Sequence, residues 1–164
     1  VAEFLCGYYA DKYQFDYTVA RCFSFIGPGL PLELDYVIGN LIGNAIAGKD
    51  LTIRGDGLPV RSYLYRDDLI IWLLTLLMDG KNRRIYNVGS DIEICVKDLA
   101  NLIRNVLDVD ASVKILNEHD QKEGNFVRNY YIPDVTRART ELQLDIWTNL
   151  ECAIIKTVDH IVKT

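Results

Sequence analysis

From Tyr17 to Phe23 the chain is a run of β-forming residues, and it then meets Gly27-Pro28-Gly29 with Pro31 just behind. This junction constrains the fold more than any other feature. Proline carries no amide for a ladder, and glycine opens backbone angles closed to other residues. A strand is therefore expected to end there in a loop, with small residues that let a ligand approach the backbone closely. Residues 2–13, upstream, read as a helix.

Downstream, helices and strands are mixed. Between Tyr36 and Ala47 the apolar residues recur at Val37, Leu41 and Ala45, and again at Ile38, Ile42 and Ile46, until Gly48-Lys49-Asp50 ends the pattern. A short strand is expected over 51–54, a turn at Gly55-Asp56-Gly57 and another strand from Ser62 to Tyr65. Asp67 or Asp68 would cap a helix over Leu69–Met78, which is apolar on all sides and so expected to be central, with Gly80 ending it. Arg84–Val88 reads as a buried strand, Val96–Leu107 as an amphipathic helix and residues 117–125 as a polar loop. The last helix is expected to begin with a capping box of Thr148 and Glu151, with Trp147 stapled against Cys152. Its buried stripe would be Leu150, Ile154, Val158 and Ile161. Periodicity alone thus indicates an α/β or α+β domain.

At 164 residues, 49% hydrophobic and 25% charged, the chain can build one domain with a real core. A formal net charge of -5 argues against a nucleic-acid partner, because phosphate binding at scale needs a basic face. Leu69–Met78 is far shorter than the roughly 20 residues that cross a bilayer, so no membrane partner is expected. Cys6, Cys22, Cys95 and Cys152 are widely spread without a C-x-x-C pair, and read as reduced, packed thiols in a cytoplasmic protein. The first residues show no signal-peptide pattern and read as a chain beginning in mid-element.

Few residues carry chemistry by themselves. Gly43 to Lys49 has phosphate-loop spacing, but Asp50 stands where that motif needs Ser or Thr, and the preceding segment is helical. The two glycines are read instead as allowing close helix packing. His119 and His160 lie outside any catalytic context, no metal cluster is visible, and no serine sits in a G-x-S-x-G turn. Arg61 follows the Gly-Asp-Gly turn and precedes an aromatic-rich strand, so its guanidinium fork could face a cleft and grip a phosphate. Taken alone, the plainer reading of Arg61 is a surface salt bridge.

Four segments together resemble the extended short-chain dehydrogenase/reductases of nucleotide-sugar metabolism. Arg21-Cys22-Phe23-Ser24-Phe25-Ile26-Gly27-Pro28-Gly29 resembles the family's R-x-F-N-x-Y-G-P-G segment. Residues 55–68, from Gly55 through Arg61 to Asp68, are similar to G-D-G-x-x-x-R-x-x-x-Y-V-x-D, and Tyr86-Asn87-Val88-Gly89 to Y-N-[IV]-G. Tyr131-Ile132-Pro133-Asp134, with Arg137-Ala138 and Glu141-Leu142 behind it, resembles the Y-x-x-D-x-S-K-A-x-x-x-L region.

The resemblance implies an α/β fold: the last strand or strands of a Rossmann-type parallel sheet plus a small mixed α/β substrate-binding domain. Residues 1–30 would be the tail of the Rossmann portion and 31–164 mainly the nucleotide-sugar domain. Glu3 would be the glutamate that follows the family's Y-x-x-x-K, which places that pair and the dinucleotide loop upstream of Val1. Phe23 would lie beside the nicotinamide of NAD through its backbone. Ser24, Thr52, Arg54, Arg61, Asn87 and Tyr131 would contact a nucleotide-diphosphate sugar, with Arg61 on the diphosphate, now its preferred reading. Ser24 stands where the family usually has asparagine, and Arg54 where many relatives have an aromatic residue. An arginine that relatives place before the tyrosine is missing, and Lys122 or Arg128 is its candidate substitute. The implied activity of the complete enzyme is dTDP-glucose 4,6-dehydratase-like or UDP-sugar epimerase-like chemistry through a transient keto-sugar, with decarboxylation a third outcome. A homodimer is implied, the chain alone would be inactive, and residues 2–13 would show a partly exposed apolar face. The alternative is a non-catalytic nucleotide-sugar-binding or scaffolding protein of the same fold.

Overall fold

The computed structural model describes residues 1–34, 36–116 and 129–163. The expected loop at 117–125, with His119 and Lys122, and Arg128 beyond it, lies outside the described residues. Helix α1 (Ala2–Tyr13) ends where Gln14 turns left-handed, at φ 55°, and donates its N–H to the Ala10 carbonyl. Ala10 is its buried residue, while Phe4, Tyr8 and Tyr13 stand largely exposed, the apolar face that was expected. Charge ties the helix to the sheet beside it. Arg21 grips both carboxylate oxygens of Glu3 at 2.6 and 2.7 Å, and Arg83 reaches Asp11 at 2.5 Å.

Strand β1 (Thr18–Cys22) pairs in parallel with β6 (Arg84–Val88), Thr18 opposite Arg84 and Cys22 opposite Val88. Parallel pairing needs a crossover, and helix α3 (Arg66–Asp79) lies within it. Trp72 and Leu76 of α3 are buried with Tyr86 and Val88 of β6, Leu64, and Val135, Ala138 and Leu144 near helix α5 (Thr136–Leu142). Two expectations for α3 fail. It begins about a turn early, with Tyr65 at its N-cap and no side-chain cap, because Asp68 is drawn away to the chain before the last helix. Nor is it central: Leu74, Leu77 and Met78 are exposed, since the buried row is Asp68–Trp72–Leu76, with Leu69 packed beside it.

A second core lies between α2 (Val37–Ile46), β3 (Leu51–Ile53), α4 (Val96–Val106), β8 (Val113–Ile115) and α6 (Leu150–Lys163). Both apolar rows of α2 contribute, through Ile38, Leu41, Ile42 and Ala45. Gly39 is as close to Pro31 as backbone allows; a Cβ there would lie 2.0 Å from the Pro31 carbonyl oxygen. Gly43 is also tight, 3.2 Å from the Leu32 Cβ by the same measure, so the glycine face of α2 packs on the 31–32 segment. Gly48 serves no packing. It is the left-handed residue, φ 63°, that closes α2, with Gly48 N–H on the Ala45 carbonyl and Lys49 N–H on that of Asn44.

Of the anticipated strand at Ser62–Tyr65 only Leu64–Tyr65 forms, and a separate strand lies just ahead of it. β4 (Val60–Arg61) lies between β7 (Ile94–Cys95) and β9 (Tyr130–Tyr131), whereas β5 (Leu64–Tyr65) pairs with β2 (Phe25–Ile26). The chain passes from one sheet to the next because Tyr63 packs in the α2–α4 core and Leu64 in the α3–β6 core. The last helix is capped one residue later than expected. The Asn149 side chain accepts the Cys152 N–H at 2.8 Å, while Thr148 is held by Asp68, and Trp147 and Cys152 are both exposed. The expected stripe of that helix does enter the core. The cysteines are free, but Cys22 and Cys152 are exposed, so two of the four are not packed thiols. Among the described residues no helix is long and apolar enough to cross a membrane, and no group of acids, histidines and cysteines could hold a metal.

Candidate functional site

The Gly55-Asp56-Gly57 turn sets the site's position. Asp56 accepts the Leu58 N–H at 3.0 Å, Gly57 sits at φ 77°, and its carbonyl accepts the Lys97 N–H at 3.0 Å at the start of α4. The turn therefore hangs on α4 and delivers Arg61 into β4. There Arg61 lies opposite Ile94 on one side and Tyr131 on the other. Its Nη1 donates to the carbonyls of Val60 at 2.7 Å and Asn129 at 3.0 Å. Nε and Nη2 are left, the guanidinium edge that suits two oxygens of one anion. Among the described residues no carboxylate pairs with Arg61, so the plain salt-bridge reading has no partner there.

Arg61 borders a cavity of about 590 Å³, a size typical of small-molecule sites. Ser24, Thr52 and Arg54 border the same cavity, so four residues singled out from the sequence meet in one place. Asn40 and Asn44, one turn apart on α2, add two amides, and among the described residues no carboxylate lines the space. Tyr36 also lines the cavity. The Tyr36 hydroxyl donates to the Phe25 carbonyl at 2.8 Å and accepts the Phe25 N–H at 3.1 Å. Burial raises the Tyr36 phenol, and these bonds and one with Ser24 partly offset it. Neither Tyr36 nor the amides of α2 were singled out beforehand. Their helical or aromatic spacing looks the same whether they face a core or a cleft.

Tyr36 also borders a second, open groove of about 570 Å³ formed by Phe23, Phe25, the Gly27-Pro28-Gly29 loop and Arg66, so the two spaces share a wall. Arg66 Nη1 holds the loop through the Pro28 carbonyl at 3.2 Å. Phe23 faces this groove. Its N–H donates to the Val88 carbonyl at 3.0 Å, and its ring lies 4.8 Å from that of Tyr131. The groove is largely apolar, with Phe23, Phe25, Ile26, Leu30 and Leu34 set around the glycine–proline loop.

The remaining candidates lie apart. Asn87 stands opposite Arg21 in the β1–β6 pair, and its amide donates to the Asp134 carbonyl at 2.9 Å, outside the lining of either space. Tyr131 is half exposed and reaches the groove only through Phe23. Tyr8 and Lys12 repeat Y-x-x-x-K spacing on α1, but both lie outside the cavity and groove, and Lys12 rests 5.2 Å over the Tyr13 ring.

A family model for the NAD dependent epimerase/dehydratase family matches residues 1–89, and the chain belongs to that family. Among its curated relatives is UDP-glucuronic acid decarboxylase 5 of Arabidopsis thaliana, 26% identical over 144 residues, which are 87% of this chain and 40% of that protein. UDP-glucuronic acid decarboxylase 1 of Xenopus tropicalis is 26% identical over 160 residues, 98% of this chain and 37% of that protein. Of solved structures, UDP-glucose 4-epimerase of Thermotoga maritima with UDP-glucose superposes with a TM-score of 0.85 at 24% identity, over 98% of this chain and 50% of that one. dTDP-glucose 4,6-dehydratase of Bacillus anthracis with NAD gives 0.82 at 24%, over 99% and 50%. The structural likeness is one of fold: Rossmann-type extended α/β. The chain spans about half the length of these solved structures and about 40% of the curated relatives.

Proposed function

We propose that this chain is the nucleotide-sugar-binding portion of an NAD-dependent enzyme that works through a transient keto-sugar, as a lyase or an isomerase. One observation carries the reading. A single cavity gathers Arg61, with its side-on edge uncommitted, together with Ser24, Thr52 and Arg54, and among the described residues no acid lines it. Such a space favours a dianionic ligand with a flat polar base. The relatives' UDP- and dTDP-linked substrates match that description.

In this reading Arg61 holds the diphosphate. Thr52 and Arg54 border the base. Ser24 offers the sugar or pyrophosphate one short hydroxyl contact. The sugar extends past Tyr36 into the groove, where Phe23 forms one wall beside the cofactor, and Asn87 and Tyr131 are flanking contacts. The groove beside Phe23 would hold the nicotinamide of NAD, which would supply the hydride acceptor. The chain's own part is to bind the nucleotide and aim the sugar into the groove. The tyrosine and lysine that move the proton would belong to a longer polypeptide, extended over the part of the relatives' length that this chain does not span and acting as a cytoplasmic homodimer. That extended protein should turn over a UDP- or dTDP-sugar, and this chain alone should not. A properly folded extended protein that binds the nucleotide without turnover would identify a scaffolding relative instead.

Calorimetry with UDP and dTDP tests the binding site directly. Arg61→Ala should weaken either ligand about ten- to a hundred-fold, the range for losing charge-assisted hydrogen bonds. Arg61→Lys should recover part of this, because it restores charge without the two-pronged geometry. Unchanged binding in Arg61→Ala would remove the residue from the site.

A further inference from the structure

Two residues beyond Arg61, Tyr63 is turned into the same cavity. The intervening Ser62 is not among the residues that line it. Tyr63 is 7% exposed, yet its hydroxyl has no hydrogen-bond partner among the described residues. The ring is buried but the hydroxyl is not: among the described residues the enclosed side-chain oxygen without a partner is that of Ser62, so the Tyr63 hydroxyl opens onto the cavity. The neighbouring phenol is not its partner. The Tyr36 ring stands edge-on to that of Tyr63 at 6.5 Å, and its own hydroxyl is committed to Phe25 on both sides. What the Tyr63 hydroxyl does share is the field of Arg61 and the cavity between them.

We infer that Tyr63 is a second phosphate-binding residue, its O–H donating to an oxygen of the diphosphate that Arg61 grips. The inference rests on the nucleotide-sugar reading above. The chemistry is complementary. Arg61 supplies charge through its remaining N–H edge, and Tyr63 supplies a neutral donor that needs no counter-ion while the site is empty. Burial, then the neighbouring Tyr36, pushes the Tyr63 phenol far above its ordinary value, with Arg61 only partly opposing. The group therefore stays protonated at working pH, able to donate to an anion and adding no repulsion. A phenylalanine would fill the same volume in the core and leave the phosphate one donor short.

The test compares UDP, UMP and uridine on the intact chain by calorimetry. Tyr63→Phe keeps the ring that packs in the core, and it should weaken UDP about five- to ten-fold while leaving uridine unchanged. In the Arg61→Ala background the same substitution should cost less, because the phosphate is no longer held against the hydroxyl. Equal losses for UDP and uridine would assign Tyr63 to the base or to structure and overturn the inference. So would unchanged UDP binding in Tyr63→Phe. If the parent chain bound UDP and responded to Arg61→Ala but not to Tyr63→Phe, only the inference about Tyr63 would fall. If the parent bound no UDP, the nucleotide-sugar reading would fall with it. Should Tyr63→Phe not fold, the tyrosine difference absorbance of the parent chain decides. UDP should perturb it in a way uridine does not, and identical spectra would count against the inference.

Discussion

Trp72→Ala is expected to destabilise the chain by about 3–5 kcal/mol, the range for deleting a large aromatic side chain from a packed core. The residue is 0% exposed and lies in the smaller core, against Tyr86, Val88 and Leu64. Its Nε1–H also donates to the Asp145 carbonyl at 2.8 Å, which fixes the chain between α5 and α6. The substitution thus opens a cavity and strands a carbonyl together. Set against a typical domain stability of roughly 5–15 kcal/mol, the loss is a large share, and the thermal midpoint should fall on the order of 10 °C. Trp72→Phe should cost visibly less, because it retains much of the ring and loses chiefly the hydrogen bond. If Trp72→Ala melted like the parent, Trp72 would not be the keystone of this core.

The second large effect is expected at Asp68, which is 3% exposed. Its Oδ2 accepts the N–H groups of Trp147 and Thr148 at 3.1 and 2.9 Å, and its Oδ1 accepts the Thr148 hydroxyl at 3.1 Å. One carboxylate thereby joins the first turn of α3 to the entry of α6, across 80 residues. Asp68→Ala leaves three donors without their acceptor, and roughly 2–4 kcal/mol should be lost. Asp68→Asn should recover only part, since one oxygen becomes an NH₂ facing donors. Thr148→Val, which removes one of the three bonds, should cost about 1 kcal/mol. Urea unfolding of the three variants orders these outcomes, and an Asp68→Ala protein as stable as the parent would contradict the account.

Much of this fold was legible in local pattern. The β-forming run ahead of Gly27-Pro28-Gly29, the two apolar rows of α2 and the stripe of α6 all lie where the sequence places them. Each depends on neighbours within a few residues. The errors share one cause. Asp68 and Thr148 both resemble helix caps, but each satisfies the other, so neither caps its own helix and Asn149 takes over. α3 looks central because it is apolar all round, yet only one side meets the core, a matter of what packs beside it. Ser62 to Tyr65 reads as one strand, yet only Leu64–Tyr65 pairs in a sheet, while Val60–Arg61 just ahead joins another.

The candidate site divides along the same line. The residues themselves, by type and spacing, determined that the chain has a strand running into a glycine–proline loop, a turn presenting Arg61 and a family in which to read them. Only the tertiary structure decided that Ser24, Thr52, Arg54 and Arg61 share one cavity while Asn87 turns to the Asp134 carbonyl. It alone decided, too, that Asn129, far along the chain and just ahead of β9, supplies the carbonyl that takes up one arm of the Arg61 guanidinium. Short-range propensity chooses an element and its apolar face. Which polar atom meets which partner is chosen by long-range packing, where an unpaired buried donor costs more than any local preference can return.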